Sequence, residues 1–232
     1  LQARAKTGHF CPLGGSWVEM DGNMPSGESF VRQFLYGQRF LREHFHMTSD
    51  VFWLPDTFGY AAQIPQIMQH CGLRYFYSLK LTWNDTNTFP HTTFWWAGLD
   101  GASRVLTYFS PTASLCGEGN VEGIDGCIRG HLDGDRCNRG MLLYGYGDGG
   151  GGPTRDMLES LARLGDCDGI PRTTLESPSA FFRQVEAESG RELCEWQGEL
   201  YFEYHRGTFT SQALCKALNR RCETILHDAE LA

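Results

Sequence analysis

Three aspartates follow apolar segments of the kind that form β-strands. Asp21 lies in WVEMDGN, Asp56 in FWLPDTFGY and Asp148 in YGYGDGGGG. Ligands of α/β proteins bind outside the carboxyl ends of parallel strands, so we expect these carboxylates to line one crevice. Each aspartate could instead accept hydrogen bonds in a turn or cap a helix, and the residues alone leave that alternative open.

Asp56 raises the main chemical question because it ends an aromatic and apolar run. A carboxylate is costly to remove from water unless a partner pairs with it. Two facing carboxylates supply the general acid and the nucleophile or base of glycoside hydrolysis. Added His or Asp side chains would form a metal site instead.

Glycines surround the third aspartate in GYGDGGGGPT. The spacing of Gly145, Gly147 and Gly150 matches the dinucleotide pattern GxGxxG. No opening strand of a βαβ unit precedes this stretch, and Pro153 lies where the helix should begin. No Lys-Ser or Lys-Thr pair follows, which excludes a Walker-type phosphate loop. We interpret the glycines as a backbone that passes close to a ligand.

Histidines are the other candidate ligands. His205, in YFEYHRGTF, could contact a ligand or make a structural hydrogen bond, and both roles stay open. His44 and His46 have the HxH spacing of many metal sites, but the helix predicted around them directs their side chains to different faces. His70 and Cys71 end another predicted helix, and we interpret them as structural.

Short apolar runs alternate with amphipathic stretches along most of the chain. The apolar runs predict a strand followed by a loop at residues 10–20, and strands at 51–55, 73–81, 104–109 and 139–147. The amphipathic stretches predict helices at residues 26–46, 61–72, 154–165 and 178–190. This alternation predicts an α/β domain with a mostly parallel sheet. From residue 209 to 232 a single long helical pattern predicts the start of a helical domain.

Composition excludes several classes of protein. The 232 residues include 20 basic and 28 acidic side chains, which argues against nucleic-acid binding. No apolar run is long enough to predict a membrane span. Nine cysteines without a CxxC pair predict reduced thiols in a cytoplasmic protein. The chain lacks an initiator Met and an apolar signal core, so we expect a fragment or a processed piece.

Four long segments together carry a family resemblance. They are GGSWVEMDGNMPSGESFVRQFLYGQRF, FWLPDTFGYAAQIPQIMQHCG, GYGDGGGGPT and ELYFEYHRGTFTSQALCKALNRRCE. In this order they resemble the α-mannosidases of glycoside hydrolase family 38, and the cytosolic branch most closely. The resemblance implies an internal fragment. Its parts would be a catalytic, partial (β/α) barrel-like domain over 1–203 without its N-terminal strand, and the truncated start of a central α-helical (three-helix-bundle) domain over 204–232.

The resemblance also implies an activity and its residues. The family hydrolyses terminal α-D-mannosyl residues of oligosaccharides with retention of configuration and with zinc. Asp56, in PDTFGY, matches the aspartate that both binds zinc and attacks the anomeric carbon. Asp148 matches the loop that supplies the general acid/base, although better-known branches have two adjacent acids there. The expected substrate-binding residues are Phe58, Lys80, Asp21 and His205.

Two departures from the family pattern limit these expectations. The other zinc ligands of the family come from an HxHxD motif and a motif resembling QFHDV, and neither occurs in these residues. Leu115 lies roughly where relatives often hold a Tyr. A single carboxylate cannot hold Zn²⁺ in a four-coordinate or higher site. We therefore expect the chain alone to bind zinc weakly and to show no glycosidase activity. Whether cobalt or another divalent ion takes the place of zinc stays open. A non-catalytic carbohydrate-binding or remnant protein is the alternative function, and a homo-oligomer stays open.

Overall fold

The computed structural model describes residues 1–112 and 114–232. Their helices are α1 Gln2–Lys6, α2 Gly27–Phe45, α3 Ile64–His70, α4 Val121–Arg129, α5 Arg155–Arg163, α6 Pro178–Ser189 and α7 Ala213–Leu231, with 3₁₀ turns at Lys80–Trp83 and Arg206–Phe209. Their strands are β1 Val51–Trp53, β2 Tyr75–Ser78, β3 Thr93–Ala97, β4 Arg104–Phe109, β5 Cys116–Gly117, β6 Gly145–Tyr146 and β7 Glu195–Gln197.

A mixed, mostly parallel sheet forms the centre of the described structure. Its strand order is β1-β2-β4-β3-β7. β1, β2 and β4 run parallel to one another, whereas β3 runs antiparallel to β4 and parallel to β7. The carboxyl ends of β1, β2 and β4 therefore share one edge of the sheet, and β3 begins at that edge. The predicted α/β fold class with mostly parallel strands is confirmed.

Both faces of the sheet are buried, because alternate side chains of each strand point to opposite sides. On one face the strands pack against α2 and α3 through a cluster that includes Phe34, Phe52, Met68, Phe76, Trp96 and Val105. On the other face they pack against α6 through a cluster that includes Val51, Tyr75, Tyr77, Leu106, Tyr108, Phe181, Phe182 and Val185. The strands are therefore rigidly supported where their loops leave the sheet.

The predicted helices are confirmed within a few residues at each end. α2 begins after Ser26, whose Oγ accepts a hydrogen bond from the Ser29 amide at 3.2 Å. α5 begins after Thr154, whose Oγ1 accepts from the Met157 amide at 3.2 Å. These side chains satisfy amides that have no partner within the helix, which is why the sequence marks both starts clearly.

Two of the predicted strands are wrong in most of their length. Residues 10–20 contribute only an isolated parallel bridge from Gly14 to Phe52. Of residues 139–147 only β6 is a strand, and it pairs with β5 outside the central sheet. Upstream of β6, Met141 bonds through both its amide and its carbonyl to the Tyr108 hydroxyl, at 2.8 and 3.2 Å. This apolar run covers the sheet face instead of joining it.

The helix α7 lies against the start of α2 through polar contacts. Glu223 Oε1 accepts from the Ser29 hydroxyl at 2.7 Å and from the Ser26 amide at 3.1 Å. Arg32 Nη1 donates to Glu230 at 2.7 Å. No residue of α7 is buried in the described structure. A helical domain that starts at residue 204 stays a prediction.

Two further features bear on the class of protein. Among the residues that the structure describes, no helix combines the length and the apolar character needed to cross a bilayer. All nine cysteines are free within the same part of the chain.

Candidate active site

Asp56 and Lys80 meet at the shared edge of the sheet. Asp56 lies three residues beyond the end of β1, and Lys80 lies two residues beyond the end of β2. Because β1 and β2 are adjacent and parallel, their carboxyl ends bring the two side chains together. Lys80 Nζ donates a hydrogen bond to Asp56 Oδ1. The Lys80 side chain is 4% exposed and the Asp56 side chain 41% exposed, so the carboxylate faces solvent while the cation beneath it is buried.

Aromatic rings surround the buried ammonium group. Lys80 Nζ lies 3.9 Å from the ring centroid of Trp83, 5.4 Å from that of Phe58 and 5.9 Å from that of Phe202. We call these three residues the Lys80 cage. A buried cation is costly without compensation, and here one carboxylate and the negative faces of the rings provide it.

His205 completes the aromatic wall beside the cage. Its ring centroid lies 4.6 Å from that of Phe58 and 5.7 Å from that of Phe202. The backbone of His205 is left-handed, with φ of 58°, where the chain turns into the second 3₁₀ turn. The structure therefore brings Asp56, Phe58, Lys80 and His205 into one cluster, and their roles in substrate binding and catalysis stay predictions.

Hydrogen bonds fix the two strand ends that carry Asp56 and Lys80. The Tyr60 hydroxyl donates to the Leu54 carbonyl at 2.9 Å and is also hydrogen-bonded to Ser78 Oγ. Ser78 Oγ donates to the Tyr60 hydroxyl, accepts from the Lys80 amide at 3.2 Å and lies 3.3 Å from the Pro55 carbonyl oxygen. Burial raises the pKa of Tyr60, so its hydroxyl stays protonated. This network sets the spacing of the carboxylate and the ammonium.

Glu19 is a site residue that sequence reasoning missed. Its Oε1 accepts from the Asp56 amide at 3.1 Å. Glu19 precedes Asp21 in VEMD, and the pattern of an acid after an apolar run pointed to Asp21 instead of Glu19. Trp83 and Phe202 were missed as well, because a single aromatic residue carries no pattern that separates a cage from a core.

Asp21 lies beside the site but bonds within its own turn. Its Oδ1 accepts from the amides of Asn23 and Met24, both at 2.7 Å. This is the turn that the sequence left as the alternative. The loop is held next to the site because the Gly22 carbonyl accepts from the Ala61 amide at 3.0 Å. No strand precedes Asp21 in the described structure, so the predicted strand end is wrong here, and its substrate-binding role stays a prediction.

Asp148 lies in an exposed loop after β6, a strand that pairs with β5 outside the central sheet. Its backbone is left-handed, with φ of 49°. A Cβ on Gly147 would lie 2.1 Å from the Leu115 carbonyl oxygen, so that glycine allows two stretches of backbone to approach each other. The expectation that three acids follow strands of one parallel sheet is therefore wrong. The general acid/base role of Asp148 stays a prediction.

The donor set of this chain does not complete a zinc site. Within residues 1–112 and 114–232 no group of three or more His, Cys, Asp and Glu side chains could hold a metal ion. Asp56 offers one carboxylate, and its Oδ1 already accepts from Lys80. Structural and catalytic zinc sites need three or four protein ligands. The residues present do not fit zinc by themselves, and the predicted cofactor stays a prediction.

Comparison with known proteins gives the family. Residues 1–199 match the family described as Glycosyl hydrolases family 38 N-terminal domain. Over 231 residues the chain is 53% identical to Alpha-mannosidase 2C1 of Mus musculus, covering 100% of this chain and 22% of the relative. The Alpha-mannosidase of Saccharomyces cerevisiae is 42% identical over 238 residues, which cover 99% of this chain and 22% of that protein. The chain thus spans about a fifth of the length of the curated relatives it matches.

A solved structure supports the fold. An alpha-mannosidase from Enterococcus faecalis V583 superposes with a TM-score of 0.62 at 20% identity, over 86% of this chain and 23% of that chain. At this level of identity the likeness bears on the fold alone. With residues 1–199 matched, the chain belongs to the glycosyl hydrolase family 38 N-terminal domain family.

Proposed function

We propose that the chain supplies the nucleophile of a retaining α-mannosidase that removes terminal α-D-mannosyl residues from mannose-containing oligosaccharides. The observation that carries the proposal is the half-exposed Asp56 carboxylate, which Lys80 holds at the carboxyl edge of the sheet. The family match and the names of the relatives support the substrate class.

In the proposal Asp56 attacks the anomeric carbon. Lys80 binds Oδ1, so Oδ2 is the oxygen that forms the ester with the sugar while the glycosidic oxygen leaves. That leaving oxygen requires a proton, and in the proposal Asp148 donates it and later takes a proton from the water that cleaves the ester. Asp148 would have to approach the cleft from its exposed loop.

The aromatic wall is suited to hold a sugar ring. The ring of Phe58 lies 5.4 Å from Lys80 Nζ and 4.6 Å from the ring of His205. In the proposal these two rings stack on the C–H face of a pyranose. The buried ammonium of Lys80 fixes the carboxylate from below, so the substrate approaches from the exposed side. Asp21 stays in the proposal as a loop residue near that side.

Several parts of the proposal rest on the resemblance. The proposal includes zinc, or cobalt or another divalent ion in its place, with Asp56 as the ligand contributed by the described residues. A cytoplasmic location and a homo-oligomeric state are likewise predictions, which cell fractionation and light scattering would test.

A chimera tests the proposed function. These 232 residues would replace the matching segment of mouse Alpha-mannosidase 2C1, which is 53% identical over the whole chain. We expect the chimera to hydrolyse an aryl α-mannoside and the Asp56→Asn chimera to lose that activity. Turnover that survives Asp56→Asn in a folded chimera would contradict the nucleophile assignment.

A non-catalytic carbohydrate-binding protein is the second candidate. The observation in its favour is that the described residues hold no metal-ligand cluster, whereas an aromatic wall is present. It predicts that mannose binds to the folded chimera without turnover and that Asp56→Asn leaves this binding unchanged. Calorimetry and the activity assay together separate the two functions.

A further inference from the structure

A carboxylate outside the Lys80 cage joins the segments that carry two of its rings, Trp83 and Phe202. Glu203 Oε2 accepts hydrogen bonds from the amides of Asp85 and Thr86, at 2.7 and 2.6 Å. Glu203 Oε1 accepts from the amide and from the side-chain nitrogen of Asn87, at 2.8 and 2.9 Å. One carboxylate therefore binds three successive backbone amides and a side-chain amide.

The contact is reciprocal. Asn84 Oδ1 accepts from the Glu203 amide at 3.0 Å, and Asn84 Nδ2 donates to the Tyr201 carbonyl at 3.5 Å. We call residues 84–87 and Glu203 the latch. It joins two segments that are more than a hundred positions apart in sequence, and the bonds made by an ionised carboxylate are stronger than those between neutral groups.

The residues next to the latch include two of the cage residues, Trp83 and Phe202. Trp83 directly precedes the 84–87 loop and lies closest to the ammonium of Lys80. Phe202 directly precedes Glu203, and His205 follows two residues later. The latch thus sets how far Trp83 lies from Phe202 on either side of the ammonium group.

We propose that Glu203 is a positioning residue of the site: it holds together the segments that carry two of the three cage rings, Trp83 and Phe202, and thereby fixes the ammonium that orients Asp56. The consequence for catalysis rests on the proposed function. Glu203 itself bonds to the loop and has no recorded contact with Lys80 or Asp56 among the described residues, so it acts through the cage.

Nuclear magnetic resonance of the labelled 232-residue chain tests the position directly. The chain has three lysines, Lys6, Lys80 and Lys216, so the side-chain signals are few. The ring of Trp83 should shift the Lys80 ε-methylene signal upfield of the signal of exposed Lys6. Glu203→Gln should move that signal toward the Lys6 position and speed exchange of the 85–87 amides about tenfold or more, because the ionic partner is lost.

A matched control variant and a milder variant separate the effect of the latch from a general loss of folding. Glu199→Gln removes an exposed carboxylate from the same segment and should change neither readout. If Glu203→Gln fails to fold, Asn87→Ala removes one of the four bonds, the one from the side-chain nitrogen, and should shift the Lys80 signal in the same direction by a smaller amount. An unmoved Lys80 signal in a folded Glu203→Gln or Asn87→Ala chain would overturn the inference.

Kinetics of the chimera separate this inference from the proposed function. Glu203→Gln should lower kcat about tenfold with a smaller effect on KM, because it disturbs the orientation of Asp56 more than the binding of the sugar. An inactive parent chimera would overturn the proposed function. The Lys80 signal would still test the positioning role of Glu203 in that case. Full activity of Glu203→Gln would overturn the role of the latch in catalysis and leave the proposed function intact.

Discussion

Replacement of Lys80 by Met tests how the site holds its carboxylate. Met has a similar length and no charge, so Lys80→Met removes the hydrogen bond to Asp56 Oδ1 and the charge within the cage. A hydrogen bond to a charged group contributes about 1.5–3 kcal/mol. If that bond serves to orient the nucleophile, its loss should lower kcat of the chimera by about 10- to 100-fold, at about 1.4 kcal/mol for each factor of ten.

Stability should respond differently from activity. The Lys80 side chain is 4% exposed and replacing a buried cation with an apolar group of similar size removes a desolvation cost. The Asp56 carboxylate is 41% exposed, so water can solvate it once the ammonium is gone. We expect the free energy of unfolding to change by less than about 1 kcal/mol.

The assay combines aryl α-mannoside kinetics with urea unfolding of the same chimera. Lys6→Met is the matched control, because Lys6 is exposed on α1, and it should change neither quantity. A Lys80→Met chimera with activity within twofold of the parent would refute the reasoning.

Three further predictions concern the supports of the site. Tyr60→Phe should lower the free energy of unfolding by about 1–2 kcal/mol in urea titrations, because it leaves buried acceptors unpaired, while Tyr36→Phe on the surface should have no effect. Hydrogen bonds from the 84–87 loop, first that of the Thr86 amide, lower the pKa of Glu203 in the folded chain. The ionised carboxylate therefore stabilises the folded loop fully above the unfolded pKa, and this stabilisation is lost as the pH falls through the lower folded pKa. Acid should therefore speed the opening of the 84–87 loop, which amide exchange corrected for intrinsic rates would measure. The Glu203→Gln chain should show no such acceleration. Calorimetric titration of the 232-residue chain with zinc should find no tight site, and a tight site abolished by Asp56→Asn would contradict this.

The helices α2, α3, α5, α6 and α7 and the parallel strands β1, β2 and β4 could be predicted because local signals mark them, whereas α1, α4, β3 and β7 were not predicted. Ser26 and Thr154 cap their helices as expected. The strand 104–109 is found with the predicted bounds, since its apolar run is flanked by loop residues. The run at 139–147 has the same appearance, but Tyr108 binds its backbone from the sheet face. A strand and a covering segment are not distinguished by local composition when both are apolar.

The site was predictable where topology alone decides it. Asp56 and Lys80 end adjacent parallel strands, so their meeting follows from strand order. Phe58 lies near them, as the family resemblance implies, and the ring of His205 packs against Phe58, a position that the residues alone left open. The bonds from Glu203 to the 84–87 loop cross more than a hundred positions, and no local pattern indicates them. The role of Asp21 could not be predicted from the sequence, because a lone aspartate in a turn has the same local pattern whether it binds a ligand or its own backbone.

Trapping of the glycosyl intermediate is the most direct test of the central claim. The active chimera would be incubated with a 2-fluoro mannosyl fluoride, digested and analysed by mass spectrometry. The account predicts that the sugar is attached to Asp56, and that Lys80→Met slows the labelling without moving it. A label on any other residue, with Asp56 unmodified, would contradict the account.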